Sequence, residues 1–119
     1  MAEQWYSRPV FFVADLAASL NYYLDFLGFE EAWAYEEEGR KIVAQVNRGT
    51  LCEIILAQDP PRAGGSRLFI ELEPEEMAAW QSEISQGEIP VTEAWWGYPV
   101  LVAQDPDGNE LYFPREADE

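Results

Sequence analysis

The run DPDGNELYF, residues 105–113, sets a carboxylate and a phenol two residues apart, Glu110 and Tyr112, behind a turn-forming DPDGN. Residues two apart on a strand share a face, so the two polar groups stand together while Leu111 and Phe113 point the other way. Two arginines, Arg8 and Arg67, each open an apolar strand-like stretch; Glu53 lies in CEIILAQ and Glu71 in RLFIELE. This set supports ionic and hydrogen-bonded recognition. Guanidinium groups suit carboxylates or phosphates, and carboxylates suit cations or accept protons. The chain contains no histidine, which removes the commonest general base and the commonest transition-metal ligand. His–Cys zinc sites and Ser–His or Cys–His nucleophiles go with it. An enzyme built on this sequence has to work with carboxylates, tyrosine, lysine or an all-oxygen metal site.

Aromatic residues accompany these groups. Trp33 and Tyr35 alternate in EAWAYEEEG and so face the same way; Trp95, Trp96 and Tyr98 cluster ahead of PVLVAQ; Phe12 and Phe69 lie in the two arginine-led strands. Flat aromatic faces beside carboxylates suit planar or cationic organic molecules. For any one tryptophan, packing in a core or a dimer contact is the commoner role, as expected for Trp80 and Trp5. The charge balance, 23 acids against 7 bases for a net −16, repels phosphate backbones and anionic lipid, so neither nucleic acid nor membrane is an expected partner. Solubility accounts for most of those charges.

At 119 residues the chain fits one domain, residues 1–119. One cysteine, Cys52, allows no intrachain disulfide and fits a reducing cytosol. The start, MAEQWYSRP, carries no basic run followed by an apolar one, and no stretch reaches membrane-spanning length; a cytoplasmic location is expected. PVFFV reads as a strand, Asp15 as a helix N-cap, and LAASLNYYLDFLG as a helix stopped by Gly28. Three strand-length segments follow, and DPPRAGGS is the obvious linker. The pattern then restarts with RLFIELE, a helix opened by Pro74 and striped by Met77, Trp80 and Ile84, and three more strands. The repeated order defines two units, 7–58 and 66–115. Gly28 and Gly87, Arg8 and Arg67, and Glu53 and Tyr112 are each 59 residues apart, which argues for an internal duplication.

The stretches VADLAASLNYYLDFLGF (13–29) and WWGYPVLVAQDPDGNELYF (95–113) resemble the vicinal-oxygen-chelate superfamily, which includes glyoxalase I, extradiol dioxygenases and bleomycin-resistance proteins. The resemblance spans about residues 7–115. It implies an α+β fold of two βαβββ modules forming an open, cup-shaped mixed sheet with helices on the convex side. It also implies an inner face that in metalloenzyme relatives carries the metal ligands. Those positions fall on Arg8, Arg67, Glu53 and Tyr112, and only Glu53 is of a ligand type. No metal and no cofactor are therefore expected.

The branch most resembled is the bleomycin-resistance proteins, acidic homodimers that sequester a bulky cationic antibiotic. The resemblance thus implies a metal-independent small-molecule binding protein and a homodimer, with no catalytic residue. The expected ligand-binding residues are Arg8, Trp33, Tyr35, Glu53, Arg67, Phe69, Glu71, Trp95, Trp96, Tyr98, Glu110 and Tyr112. Two alternatives stay open. One is a small anionic metabolite held by Arg8 and Arg67; the other is a glyoxalase-like lyase or isomerase using Glu53 or Glu110 as base. Mutual ion pairing among the polar inner residues is the plainer reading of the same set.

Overall fold

The structure is a computed structural model and describes residues 5–87, 91–95 and 99–114; at residues 84–87, 91–95 and 99 it describes the backbone alone. The chain divides into two compact units between Ala63 and Gly64, within the expected linker. In the first, strand β1 (Val10–Val13) leads into helix α1 (Leu16–Asn21), followed by β2 (Glu30–Glu37), β3 (Arg40–Arg48) and β4 (Cys52–Gln58). In the second, β5 (Arg67–Phe69) precedes helix α2 (Pro74–Gly87), then β6 (Val91–Trp95), β7 (Pro99–Gln104) and β8 (Glu110–Pro114). Each unit is an open four-stranded mixed sheet, ordered β1-β4-β3-β2 and β5-β8-β7-β6, with the first strand parallel to the last.

Local chemistry accounts for these elements. Asp15 caps α1, its Oδ1 accepting the Ala17 amide at 3.0 Å. The helix then widens into a π-helical turn over Tyr22–Phe26, closed by the Leu27 amide on the Tyr22 carbonyl at 3.2 Å. The Arg48 guanidinium donates to the Leu27 carbonyl at that end. Strand alternation buries one face of the first sheet: Phe11, Val13, Ala44, Val46, Ile54 and Leu56, together with Leu16, Leu20, Tyr23 and Leu27 of the helical segment. Each Val, Leu, Ile or Phe among them contributes about 1.5–3 kcal/mol on full burial. Of the adjacent tyrosines, Tyr23 is buried and packs edge-to-face on Phe29, while Tyr22 is only half-buried. In the second unit Leu101, Ala103, Leu111 and Phe113 are buried on one face, and Trp80 of α2 stacks on Phe113 with ring centroids 4.4 Å apart.

Two expectations change. RLFIELE is a strand only as far as Phe69; the Ile70 amide still reaches the Tyr112 carbonyl at 2.8 Å, and the chain then turns into α2. Glu73 sits at the start of that helix, its amide donating to the Glu76 carboxylate at 3.3 Å. The single offset of 59 also fails on the closing strands. Val10 stands opposite Ile55, but Phe69 stands opposite Tyr112 and Arg67 opposite Glu110. Carrying the first register back two residues sets Arg8 level with Glu53. If Arg8 answers to Arg67, then Glu110, not Tyr112, answers to Glu53.

The DPDGN turn is a closed hydrogen-bonded unit. Asp105 Oδ1 accepts the amides of Asp107 and Asn109, both at 2.9 Å, and Asp105 Oδ2 accepts the Asn109 side-chain amide at 2.9 Å. Asn109 Oδ1 in turn accepts the Ser66 amide at 3.0 Å, fixing the entry to β5. Gly64 passes so close that a Cβ there would meet the Asp107 carbonyl oxygen at 2.5 Å, and its φ is +89°. Gly65 has a similar φ of +81° with nothing within 4 Å. Gly64→Ala is therefore expected to lower the urea midpoint more than Gly65→Ala, which carries the backbone strain alone, about 1–2 kcal/mol. Equal losses would show that the close approach to Asp107 is not limiting.

Candidate functional site

The strand faces turned away from the helices carry Trp33, Gln45 and Glu53 in the first sheet, and Phe69, Glu110 and Tyr112 beside Val100 and Val102 in the second. On the first sheet that face centres on Gln45, which is 4% exposed. Its Oε1 accepts two hydrogen bonds, from Arg8 Nη1 at 2.7 Å and from the Trp33 indole at 2.9 Å. Its Nε2 donates to Asn47 Oδ1 at 2.9 Å. Asn47 stands opposite Glu53 in the β3–β4 ladder. Glu53 shares its face with Ile55 and Ala57, opposite the buried Ile54 and Leu56, and its Oε1 is buried with no hydrogen-bond partner among the described residues.

Trp33 and Tyr35 reach this face through a β-bulge. Glu31 pairs with Val46, whose side chain lies under α1, whereas Trp33 pairs with Gln45; the ladder shifts between them at Ala32. Without that extra residue, Glu31, Trp33 and Tyr35 would all share one side. The bulge turns the two rings over while Glu31 remains on the helix side, ion-paired with Lys41 at 2.9 Å. Trp33 is 41% exposed and Tyr35 52% exposed. Tyr35 donates its hydroxyl to Glu37 at 3.2 Å, and this bond raises the phenol's pKa. The Arg8 guanidinium lies 5.7 Å from the centroid of the Tyr6 ring, and Arg62 lies 5.5 Å from that of Phe12.

The second sheet carries a closed cluster. Glu110 Oε1 accepts Arg67 Nε at 3.1 Å and the Tyr112 hydroxyl at 2.9 Å, while its Oε2 accepts Gln104 Nε2 at 3.1 Å. Tyr112 lies on the face of Val100 and Val102, with Phe69 packed against them. The bonds from Gln104 and Tyr112, joined by Arg67, hold the Glu110 carboxyl below its usual range. The same contact with Glu110 raises the Tyr112 phenol, and Glu110 likewise raises Arg67.

Arg8, Trp33 and Tyr35 thus share the face of the first sheet turned away from α1 with Glu53, and Arg67, Glu110, Tyr112 and Phe69 share one face of the second. Glu71 is exposed and lies beyond the end of β5, where strand alternation no longer assigns it a face. Trp95 ends β6 opposite Pro99 with only its backbone described, and Trp96 and Tyr98 lie outside the described residues. Sequence reasoning missed Gln45 and Asn47. Their signal was a polar alternation within the apolar IVAQVNR. Cys52 lies on the helix side with Ile54 and Leu56, where burial pushes its thiol pKa up.

The donor set does not suit a divalent cation. Glu53 offers one carboxylate where a divalent cation takes about six oxygen ligands, and Glu110 is ion-paired with Arg67. Among the described residues, no group of three or more Cys, Asp or Glu is arranged so that it could hold a metal ion. No helix among them is long and apolar enough to cross a membrane.

Two open mixed sheets, each with one helix-covered face and one polar, aromatic face, define an α+β protein of repeated βαβββ design. The chain belongs to the Glyoxalase/Bleomycin resistance protein/Dioxygenase superfamily, which it matches over residues 5–113. Among solved structures it is similar to TnmS3, an antibiotic binding protein from Streptomyces sp. CB03234, at 18% identity and TM-score 0.73, covering 98% of this chain and 99% of that one. It is also similar to the bleomycin-binding protein from bleomycin-producing Streptomyces verticillus, solved with copper(II)-bleomycin, at 22% identity and TM-score 0.68, covering 98% and 100%. Lactoylglutathione lyase from Agrobacterium tumefaciens shares 20% identity and TM-score 0.65 over 92% of each chain. At these identities the likeness is one of fold. No curated protein matches the chain in sequence.

The bonds to Glu110 make a pH prediction. Because its folded-state pKa is lowered, its contribution to stability is present above the unfolded carboxylate value and is lost as pH falls through the lowered one. The difference in unfolding midpoint between wild type and Glu110→Gln is expected to be present at pH about 7 and to shrink toward pH about 3. A difference constant over that range would show that Glu110 is not held by these donors.

Proposed function

We propose that this protein binds a small aromatic, cationic molecule without metal or chemistry, sequestering an antibiotic of the bleomycin type as a homodimer. The observation that carries this reading is the exposed Trp33–Tyr35 pair, turned by the Ala32 bulge onto the face that holds Glu53. Exposed rings beside a carboxylate favour planar cations by stacking and cation–π attraction. The net charge of −16 draws such ligands toward the chain. Sequestration needs affinity and no general base, which suits a sequence without histidine. The structural likeness to an antibiotic-binding and a bleomycin-binding protein supports the same direction.

A second reading rests on Arg8. Arg67 is neutralised by Glu110, but the Arg8 hydrogen bond to Gln45 is to a neutral amide, so its positive charge remains to attract a carboxylate or phosphate. A glyoxalase-like lyase or isomerase would instead use Glu53 or Glu110 as base; the ion pair and two further hydrogen bonds on Glu110 count against it as a proton acceptor.

Titration with bleomycin, with unrelated aromatic cations and with aromatic carboxylates, followed by tryptophan fluorescence, separates these readings. Saturable quenching by the cations is expected, weakened about tenfold or more in Trp33→Leu, in line with the loss of one aromatic contact. Quenching by carboxylates alone, abolished in Arg8→Ala, would support the anion reading. No response to any of them would contradict binding at this face.

A further inference from the structure

The two sheets are near-copies in which one carboxylate is fully engaged and its counterpart is not. In the second, Glu110 receives Arg67 from the parallel strand β5, Gln104 from the antiparallel strand β7, and Tyr112 from two residues along its own strand. The registers locate the counterpart of each donor in the first sheet. Glu53 stands opposite Asn47 as Glu110 stands opposite Gln104. Ile55 lies two residues beyond Glu53, opposite Val10, as Tyr112 lies opposite Phe69. Arg8 comes level with Glu53 as Arg67 does with Glu110.

Every donor has been changed or diverted. Ile55 has no hydroxyl, and Asn47 is one methylene shorter than Gln104. Arg8 is turned aside by Gln45, which stands opposite Ile55 where the second sheet has Val102 opposite Tyr112. A valine cannot accept a hydrogen bond, so Arg67 stays on its glutamate; the Gln45 oxygen accepts Arg8 at 2.7 Å instead. The result is a buried Glu53 Oε1 that lacks a donor among the described residues. A buried carboxylate oxygen without a donor is costly, and a ligand N–H that meets it recovers that cost on binding.

Building on the ligand-binding reading above, we infer that Glu53 receives an N–H-bearing cation of the ligand, an amidinium, guanidinium or primary ammonium, in the position that Arg67 occupies on Glu110. The aromatic part of the ligand then lies toward Trp33, which the Gln45 oxygen holds at 2.9 Å through the indole N–H. The subsite selects for hydrogen-bond donation as well as positive charge. A quaternary ammonium satisfies the charge and leaves the Glu53 oxygen without a hydrogen bond.

The test uses the full chain and three probes of one aromatic size, benzamidinium, benzyltrimethylammonium and benzoate, titrated by calorimetry. Benzamidinium is expected to bind more tightly than the quaternary cation. Glu53→Gln should weaken it roughly 10- to 100-fold and abolish the preference, the range for loss of a charge-assisted hydrogen bond. Gln45→Val, which copies the second sheet and frees Arg8 for Glu53, should weaken benzamidinium as well. Glu75→Gln, which removes one charge at the exposed start of α2, should leave all affinities unchanged. Unfolding midpoints establish that each variant is folded. Equal binding of both cations, with neither sensitive to Glu53→Gln, overturns the inference while leaving aromatic-cation binding intact. Tighter binding of benzoate than of either cation overturns it in favour of Arg8. No binding of any probe removes the ligand-binding reading together with the inference.

Discussion

A single amide oxygen sets the character of the first sheet. Gln45 Oε1 takes two donors, one from Arg8 just ahead of the edge strand β1 and one from the Trp33 indole on the opposite edge strand β2. Buried polar groups are stable only when satisfied, and this oxygen is satisfied twice. In doing so it fixes the Trp33 ring, draws Arg8 away from the carboxylate beside it, and leaves Glu53 with an oxygen that no described residue engages. In the second sheet Val102 stands at the corresponding position, opposite Tyr112, and Arg67 stays on Glu110.

The two units then look like one design used for two ends. In the second, the glutamate, arginine, phenol and glutamine form a closed set whose donors stabilise the carboxylate. Such a set holds β5, β7 and β8 in register; isolated exposed pairs of this kind contribute modestly to stability, and their value is geometric. In the first, the same strand positions carry residues that do not close. A duplicated fold can assign structural duty to one copy and recognition to the other, because the ladders, helices and buried faces that hold each sheet are independent of what the other face carries.

Much of this was legible in the sequence, and the omissions share a physical origin. Asp15 as a cap, the burial of Phe11, Val13, Leu111 and Phe113, and the pairing of Glu110 with Tyr112 all follow from periodicity and turn chemistry, which act locally. The direction of Trp33 and Tyr35 does not, because a one-residue bulge at Ala32 inverts the face and leaves no mark in the composition. The offset of 59 matched Glu53 to Tyr112, and only the ladder registers reassign Glu53 to Glu110. Gln45 was overlooked because a glutamine among apolar strand residues is unremarkable until its partners, one of them 37 positions away, are known.

The most direct measurement is the set of tryptophan indole and Asn/Gln side-chain amide resonances in two-dimensional 15N–1H spectra, followed while benzamidinium is added. The account predicts that the Trp33 indole and the Asn47 side-chain amide move together and saturably, while the Trp80 indole, on the helix side of the second sheet, stays still. Saturable binding with the Trp33 and Asn47 signals unmoved would contradict it.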